Sequence, residues 1–126
     1  MKQPSPGTFA PCPASPNCVS TLADPEDKTH YIAPLRFGSV EGKDVMGEVV
    51  AVLKDERRTI IVTQSEAYLH AEVRSRLFRF VDDVEVFVNQ ANGLVHFRSA
   101  SRLGYGDFGV NRKRVEKLIA ELGRRL

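Results

Sequence analysis

The sequence has only two cysteines, too few on their own to hold a metal ion. Cys12 and Cys18 lie six positions apart, which is the spacing of neither a zinc motif nor a thioredoxin-like motif. This spacing leaves three alternatives open: a disulfide that closes a small loop, two inert thiols, or a reactive thiol. We predict no metal and no cofactor.

Long apolar runs are also missing, and none approaches the length that crosses a bilayer. The first six residues lack the apolar stretch of a secretory signal. The chain as given is therefore expected in the cytoplasm. If an N-terminal signal has been removed, a periplasmic or membrane-anchored location is expected instead.

Excess charge and nucleotide-binding motifs are absent as well. The net charge of +2 is too small to predict wholesale nucleic-acid binding. The glycines near the C-terminus have neither the Walker nor the dinucleotide spacing, and the acidic residues do not form a calcium loop. The length of 126 residues suits one domain.

Proline divides the chain into two parts. All seven prolines fall within residues 1–36, and proline both removes backbone donors and blocks helix formation. We predict that residues 1–36 form an extended, proline-rich arm that packs on the domain, with about the first ten residues mobile. Residues 37–126 are predicted to form a single α+β domain.

Hydrophobic periodicity within residues 37–126 predicts two helices flanking a run of strands. The first helix is expected from Ser39 to near Asp55, and the last helix has Asn111 as its N-cap. Strands are expected at 59–63, 68–80, 81–88 and 94–102, with a hairpin turn at 90–93 and an edge strand near Tyr31 and Leu35. Short turns favour an antiparallel sheet of four to five strands with both helices packed on one face.

Strand alternation predicts one charged sheet face. Its members are His70, Glu72, Arg74, Arg76, Asp83, Glu85, His96, Arg98 and Arg102. Two interpretations remain open for this face. It is either a solvated surface with cross-strand ion pairs, or a groove beneath the arm in which arginines hold a carboxylate or phosphate.

The first turn of the last helix carries Arg112, Lys113 and Arg114, where the helix dipole already concentrates positive charge. Such a turn is unfavourable unless an anion neutralises it, and it is a ready anion site. That anion is either a ligand or an internal carboxylate. The internal candidates are Asp82, Asp83, Glu85 and Asp107.

Four blocks of the sequence resemble the domain-of-unknown-function family numbered 1499. They are CPASPNCVS at 12–20, RFVDDVE at 79–85, RSASRLG at 98–104 and DFGVNRKR at 107–114. The family occurs in bacteria and plant plastids, and some members look membrane-anchored at the N-terminus. The resemblance implies no established activity. It implies that the arm, the strand with Asp82, Asp83 and Glu85, and the loop after residue 98 belong together. This fits an arm and a loop that border one charged site, either a ligand pocket or a structural ion network.

The preferred hypothesis is a non-enzymatic binding module for a small anionic ligand or an acidic partner segment. The ligand-binding residues would be Arg98, Ser99, Ser101, Arg102, Asn111, Arg112, Arg114, Arg74 and Arg76. The alternatives are a small hydrolase-like enzyme using Asp83 or Glu85 with His70 or His96, and a structural or assembly protein with an internal ion-pair network. The chain is expected to be a monomer or a weak homo-oligomer.

Overall fold

A computed structural model describes residues 8–38, 44–75, 80–103 and 109–126 of the chain. Within them the chain forms six strands and two helices, which confirms the predicted α+β class. The elements are β1 (Cys18–Ser20), β2 (Leu35–Arg36), α1 (Val45–Lys54), β3 (Thr59–Gln64), β4 (Tyr68–Arg74), β5 (Val81–Asn89), β6 (Leu94–Ser101) and α2 (Val110–Arg125).

All six strands join one antiparallel sheet in the order β1-β6-β5-β4-β3. β2 pairs with the same edge of β6 as β1 does, but at the start of that strand, opposite Leu94 and Val95. The predicted hairpin turn at 90–93 is confirmed and joins β5 to β6, so that Asn89 lies opposite Leu94. Gly93 has a φ of +66°, which a glycine adopts without a steric penalty.

The sheet has one strand more than the predicted maximum of five. β1 and β2 are only three and two residues long, and they lie in the proline-rich segment predicted as an arm. Strands this short show no alternation of apolar and polar residues. The predicted edge strand is partly right, because Leu35 belongs to β2 whereas Tyr31 forms an isolated bridge with Ser20.

Both helices pack on one face of the sheet, as predicted. They contribute Val45, Val49, Val52, Leu53, Val115, Leu118 and Leu122 to a core that also contains Leu69, Val84, Val86, Val95 and Phe97. Each fully buried aliphatic side chain of this kind stabilises the fold by about 1.5–3 kcal/mol. Among the described residues, neither helix is both long and apolar enough to cross a membrane.

The helix ends match the sequence prediction at α1 but not at α2. α1 ends with Asp55 as its C-cap, as expected, while its predicted start at Ser39 lies outside the described residues. Asp44 caps α1 by accepting a hydrogen bond from Gly47 N at 2.9 Å. The N-cap of α2 is Gly109, so the prediction of Asn111 is wrong. Asn111 lies within the first turn, where its fully buried side chain binds other groups.

We expect Gly93→Ala to lower the free energy of unfolding by about 1–3 kcal/mol. A Cβ at this position would lie 2.6 Å from the carbonyl oxygen of Phe37, and the positive φ adds backbone strain. The matched control is Gly123→Ala inside α2, which should stabilise the protein by about 0.5–1 kcal/mol. There a Cβ would meet Leu35 at 3.8 Å, an ordinary contact. Urea unfolding of both variants measures the two effects, and equal changes would contradict this account.

Candidate functional site

The charged side chains of the sheet gather on the face opposite the helices, as strand alternation predicts. In the register, His70 pairs with Glu85 and Glu85 with Arg98, while Glu72 pairs with Asp83. These groups are nevertheless shielded from solvent, because His70, Asp83, Glu85 and Arg98 are each at most 8% exposed. The cross-strand ion pairs of the first interpretation are present, but only the edge of the face, at Arg74 and Arg102, is solvated.

Glu85 is the most deeply buried carboxylate of this face, with 2% of its surface exposed. Tyr68 donates its hydroxyl hydrogen bond to Glu85 Oε2 at 2.8 Å, and Arg98 Nη1 approaches Oε1 at 3.5 Å. Burial raises the pKa of Tyr68, and the hydrogen bond to Glu85 raises it further. Tyr68 therefore stays neutral, and its hydroxyl and the Arg98 guanidinium each donate a hydrogen bond to Glu85.

Asp83 has two cationic or potentially cationic partners. His70 Nε2 lies 2.7 Å from Oδ1, and Arg102 donates from Nε and Nη2 to the two carboxylate oxygens at 2.8 and 2.9 Å. Burial alone would raise the pKa of Asp83, but the hydrogen bonds from Arg102 and His70 outweigh it and lower the pKa. Arg102 Nη2 also donates to Glu72 at 2.7 Å, so that one guanidinium joins two carboxylates.

His70, Glu72 and Asp83 are the residues of this face that could hold a metal ion. Their ligand atoms lie within 4.8 Å of one another. However, the Arg102 guanidinium already bonds both carboxylates and takes the place that a cation would occupy. A metal ion would have to displace Arg102, so the geometry favours an internal ion-pair network.

The two histidines proposed for an enzyme differ in their surroundings. His70 contacts Asp83, whereas His96 Nδ1 lies 2.9 Å from the hydroxyl of Thr21. Burial lowers the pKa of His96, which favours the neutral ring. The Thr21 hydroxyl also accepts the backbone N–H of Phe97 at 3.0 Å. His96 thus fixes local structure, and His70 is the histidine that the described structure pairs with a carboxylate of this face.

A second polar cluster lies on the helix side of the sheet. Ser99 donates to Asn111 Oδ1 at 2.6 Å, and Asn111 Nδ2 donates to Ser101 at 2.9 Å. Arg114 Nη1 pairs with Asp82 at 2.9 Å and also donates to Asn111 and Ser99. The carboxylate that satisfies Arg114 therefore belongs to the protein itself.

The structure separates the residues predicted to form one anion site. Arg74, Arg98 and Arg102 lie on the charged face, while Ser99, Ser101, Asn111 and Arg114 lie on the helix side. Arg112 instead donates to the carbonyl oxygens of Lys28 and Thr29 at 3.4 and 3.2 Å. Arg76 and Asp107 lie outside the described residues. The separation follows from the strand geometry, because neighbours such as Arg98 and Ser99 point to opposite faces.

A groove with a volume of about 540 Å³ lies beside the first turn of α2. Its cationic side chains are Arg57, Arg58, Lys113, Arg114 and Lys117, against the two carboxylates Asp55 and Glu56. Lys117 pairs with Glu56 at 3.1 Å. Within the described ranges, Arg57 and Lys113 form no ion pair. Residues 55–58 are all charged in the sequence, but nothing in the sequence places them beside α2.

A family model described as "Protein of unknown function (DUF1499)" matches residues 8–122 of the chain. The match spans all four blocks that carried the resemblance in the sequence. No curated protein matches the chain. The family description assigns no activity.

We expect Arg102→Ala to lower the free energy of unfolding by about 1–2 kcal/mol near neutral pH, a value reduced because Arg102 is half exposed. The lowered pKa of Asp83 means that its pairing stabilises the fold above the ordinary aspartate pKa. This contribution is lost as the pH falls through the folded-state pKa. The difference between the variant and the wild type should therefore shrink below about pH 4.

The matched control for this substitution is Arg74→Ala. Arg74 is also half exposed, but it makes a single 3.4 Å contact to Glu72. Its removal should change the stability by at most about 0.5 kcal/mol. Urea unfolding at several pH values measures both variants. A pH-independent loss in Arg102→Ala would show that Asp83 does not carry the effect.

Proposed function

We propose that this chain, which belongs to the DUF1499 family of proteins of unknown function, is a non-enzymatic binding module for an anionic ligand. The ligand would bind in the groove between the turn after α1 and the first turn of α2. The observation that carries the proposal is the convergence of five cationic side chains there, against two carboxylates. Such an imbalance inside a concave surface attracts and orients an anion.

The start of α2 supports this proposal independently of the groove's shape. No acidic residue occupies its first turn, and its N-cap is a glycine, which has no side-chain acceptor to offer. The partial positive charge at the helix N-terminus therefore adds to Lys113, whereas Arg114 is already compensated by Asp82 of β5. An anion in the groove would supply the missing compensation.

Arg102 and Arg114 are weaker candidates than Arg57 and Lys113. Arg102 already binds Glu72 and Asp83, and Arg114 already binds Asp82. Arg57 and Lys113, by contrast, have no carboxylate partner among the described residues. The proposal therefore places the principal contacts on Arg57 and Lys113, with Arg58 and Lys117 at the walls.

The groove volume suits either a small oxyanion or one or two side chains of an acidic partner segment. A small oxyanion would be held by the guanidinium forks and the helix N-terminus together. An acidic segment would use the same cations along the groove. Both ligands share a carboxylate or phosphate group, and the experiment below separates them.

A second candidate function is acid–base catalysis by the His70–Asp83 pair. The 2.7 Å contact between two buried groups is the observation in its favour, since a carboxylate that orients an imidazole is a common catalytic arrangement. Arg102 and Glu72 extend this pair into a wider ion network, which equally suits a purely structural role. This candidate predicts that His70→Gln removes an activity without changing anion binding in the groove.

The binding proposal is tested with the double variant Arg57→Glu/Lys113→Glu. We expect inorganic phosphate to raise the melting temperature of the wild type at constant ionic strength, and this rise to vanish in the double variant. Both substitutions replace exposed side chains, so the fold should persist. A glutamate-rich peptide, measured by isothermal titration calorimetry, probes the alternative ligand. Peptide binding without any phosphate effect would favour the acidic segment.

Lys54→Glu is the matched control, because Lys54 is an exposed lysine in the last turn of α1 that does not line the groove. It changes the net charge in the same direction and should retain the phosphate effect. If the double variant and the control respond alike, the stabilisation is a general salt effect and the groove is not the site. The absence of binding for both probes would likewise overturn the proposal.

A further inference from the structure

The groove beside α2 has an apolar part as well as a cationic one. Val73 and Val110 belong to its lining together with the charged side chains. Val110 is 45% exposed at the first turn of α2, and Val73 is half-buried in β4. A ligand that matches only the cations leaves both valines in contact with water, which is unfavourable for apolar surface.

One wall of the groove is a single stripe along α2. Val110, Lys113, Arg114 and Lys117 are three or four residues apart, so they follow one another on the same side of the helix. At about 1.5 Å per residue, this stripe is about 10 Å long. It is apolar at its start, cationic in the middle and ion-paired at its end, where Lys117 bonds Glu56 at 3.1 Å.

Val73 lies in the floor of the groove, between this wall and the turn after α1. In the sheet register it pairs with Thr59 on one side and with Asp82 on the other. Thr59 directly follows the charged turn, whereas Asp82 bonds Arg114 of α2 at 2.9 Å. A ligand that reaches the apolar floor therefore has cationic side chains on both sides of it.

The dimensions of the groove favour a ligand larger than one oxyanion. A volume of about 540 Å³ is in the range of pockets that hold drug-sized molecules. An extended peptide rises about 3.3 Å per residue, so a wall of about 10 Å accommodates about three residues. The groove is open to solvent, which lets a longer chain enter at one end and leave at the other.

The spacing between the apolar and the cationic part defines the ligand further. Lys113 and Arg114 follow Val110 by about 4.5 and 6 Å along the helix axis. Side chains on the same side of an extended peptide are two residues, or about 6.5 Å, apart. Two side chains at positions i and i+2 of a peptide therefore reach Val110 and Lys113 at the same time.

We infer that the groove binds an extended segment of a partner protein in which an apolar residue and an acidic residue are two positions apart. This inference rests on the function proposed above and names its ligand class. The excess of cations over carboxylates in the lining requires the acidic residue, whose carboxylate binds Lys113 and Arg57. The apolar side chain packs on Val110 and Val73, which a phosphate ion would leave uncovered.

The test is the binding of short synthetic peptides, followed by the chemical shifts of the backbone amides, which detect weak binding. The first peptide has a leucine and a glutamate two positions apart among glycines and serines. In the second peptide serine replaces the leucine, and in the third the leucine and the glutamate are adjacent. All are blocked at both ends, so that the glutamate supplies the only charge. No reductant is added, because Cys12 and Cys18 form a disulfide.

We expect the first peptide to bind the wild type about tenfold more tightly than the second, because about half of the leucine side chain is buried. The third peptide should bind like the second, since adjacent side chains of an extended chain point to opposite sides. Equal affinities of all three peptides would overturn the inference.

Val110→Thr tests the apolar contact from the side of the protein. Threonine has nearly the shape of valine, and the position is exposed, so the fold should persist. The loss of one methyl contact should weaken binding of the first peptide about fourfold, without changing the rise in melting temperature with phosphate. Val62→Thr is the matched control, because Val62 is 50% exposed in β3 and does not line the groove. Equal weakening by both substitutions would exclude the groove as the peptide site.

The inference and the proposed function fail in different ways. If phosphate stabilises the wild type through Arg57 and Lys113 but the leucine gives no advantage, the groove is an oxyanion site and only the inference is overturned. If neither phosphate nor any peptide binds, the proposed function is overturned as well. An unchanged preference for the first peptide in Arg57→Glu/Lys113→Glu would show that this peptide binds without the cations, and it would also overturn the inference.

Discussion

The burial of two carboxylates in the middle of the sheet is the constraint on which the charged face depends. Asp83 and Glu85 are both on β5, between β4 and β6, and almost no solvent reaches them. A buried charge is tolerated only when it is paired and hydrogen-bonded. β4 supplies His70 and Tyr68, β6 supplies Arg98, and the end of β6 leads directly to Arg102. The antiparallel register of these three strands therefore also places the hydrogen-bond donors beside the two carboxylates.

The charged groups of this face differ in the lengths of their hydrogen bonds, and this difference distinguishes a structural role from a candidate functional one. Asp83 is fully satisfied by short contacts, which makes its end of the network a structural one. Arg98 has only long contacts and an unfilled donor, and it lies under a segment whose hold on the sheet includes a reducible bond. A charged group with short hydrogen bonds has little to gain from a new partner. A charged group with an unsatisfied donor is stabilised when it binds a better acceptor.

Much of the fold could be predicted from the sequence because its signals are local. The β-branched run before Gln64, the turn ending at Gly93 and the apolar spacing of α2 each report on neighbouring residues. β1 could not be predicted in the same way, and β2 only in part, since their partner in the sheet is β6, far along the chain. The prediction of Asn111 as the N-cap of α2 was wrong because its side chain forms hydrogen bonds with Ser99 and Ser101. Sequence spacing does not reveal these contacts.

The candidate site shows the same limit. Alternation placed Arg98 and Arg102 on one face. It could not reveal that Arg102 makes short contacts to two carboxylates whereas Arg98 makes one long contact to Glu85, because that depends on distances across strands. The groove depends on a contact between two turns that lie more than fifty positions apart. What the sequence does predict is the number of cations, and the structure then determines which of them have partners. Arg57 and Lys113 have no carboxylate partner among the described residues, which is why we propose them as the principal contacts of an anion.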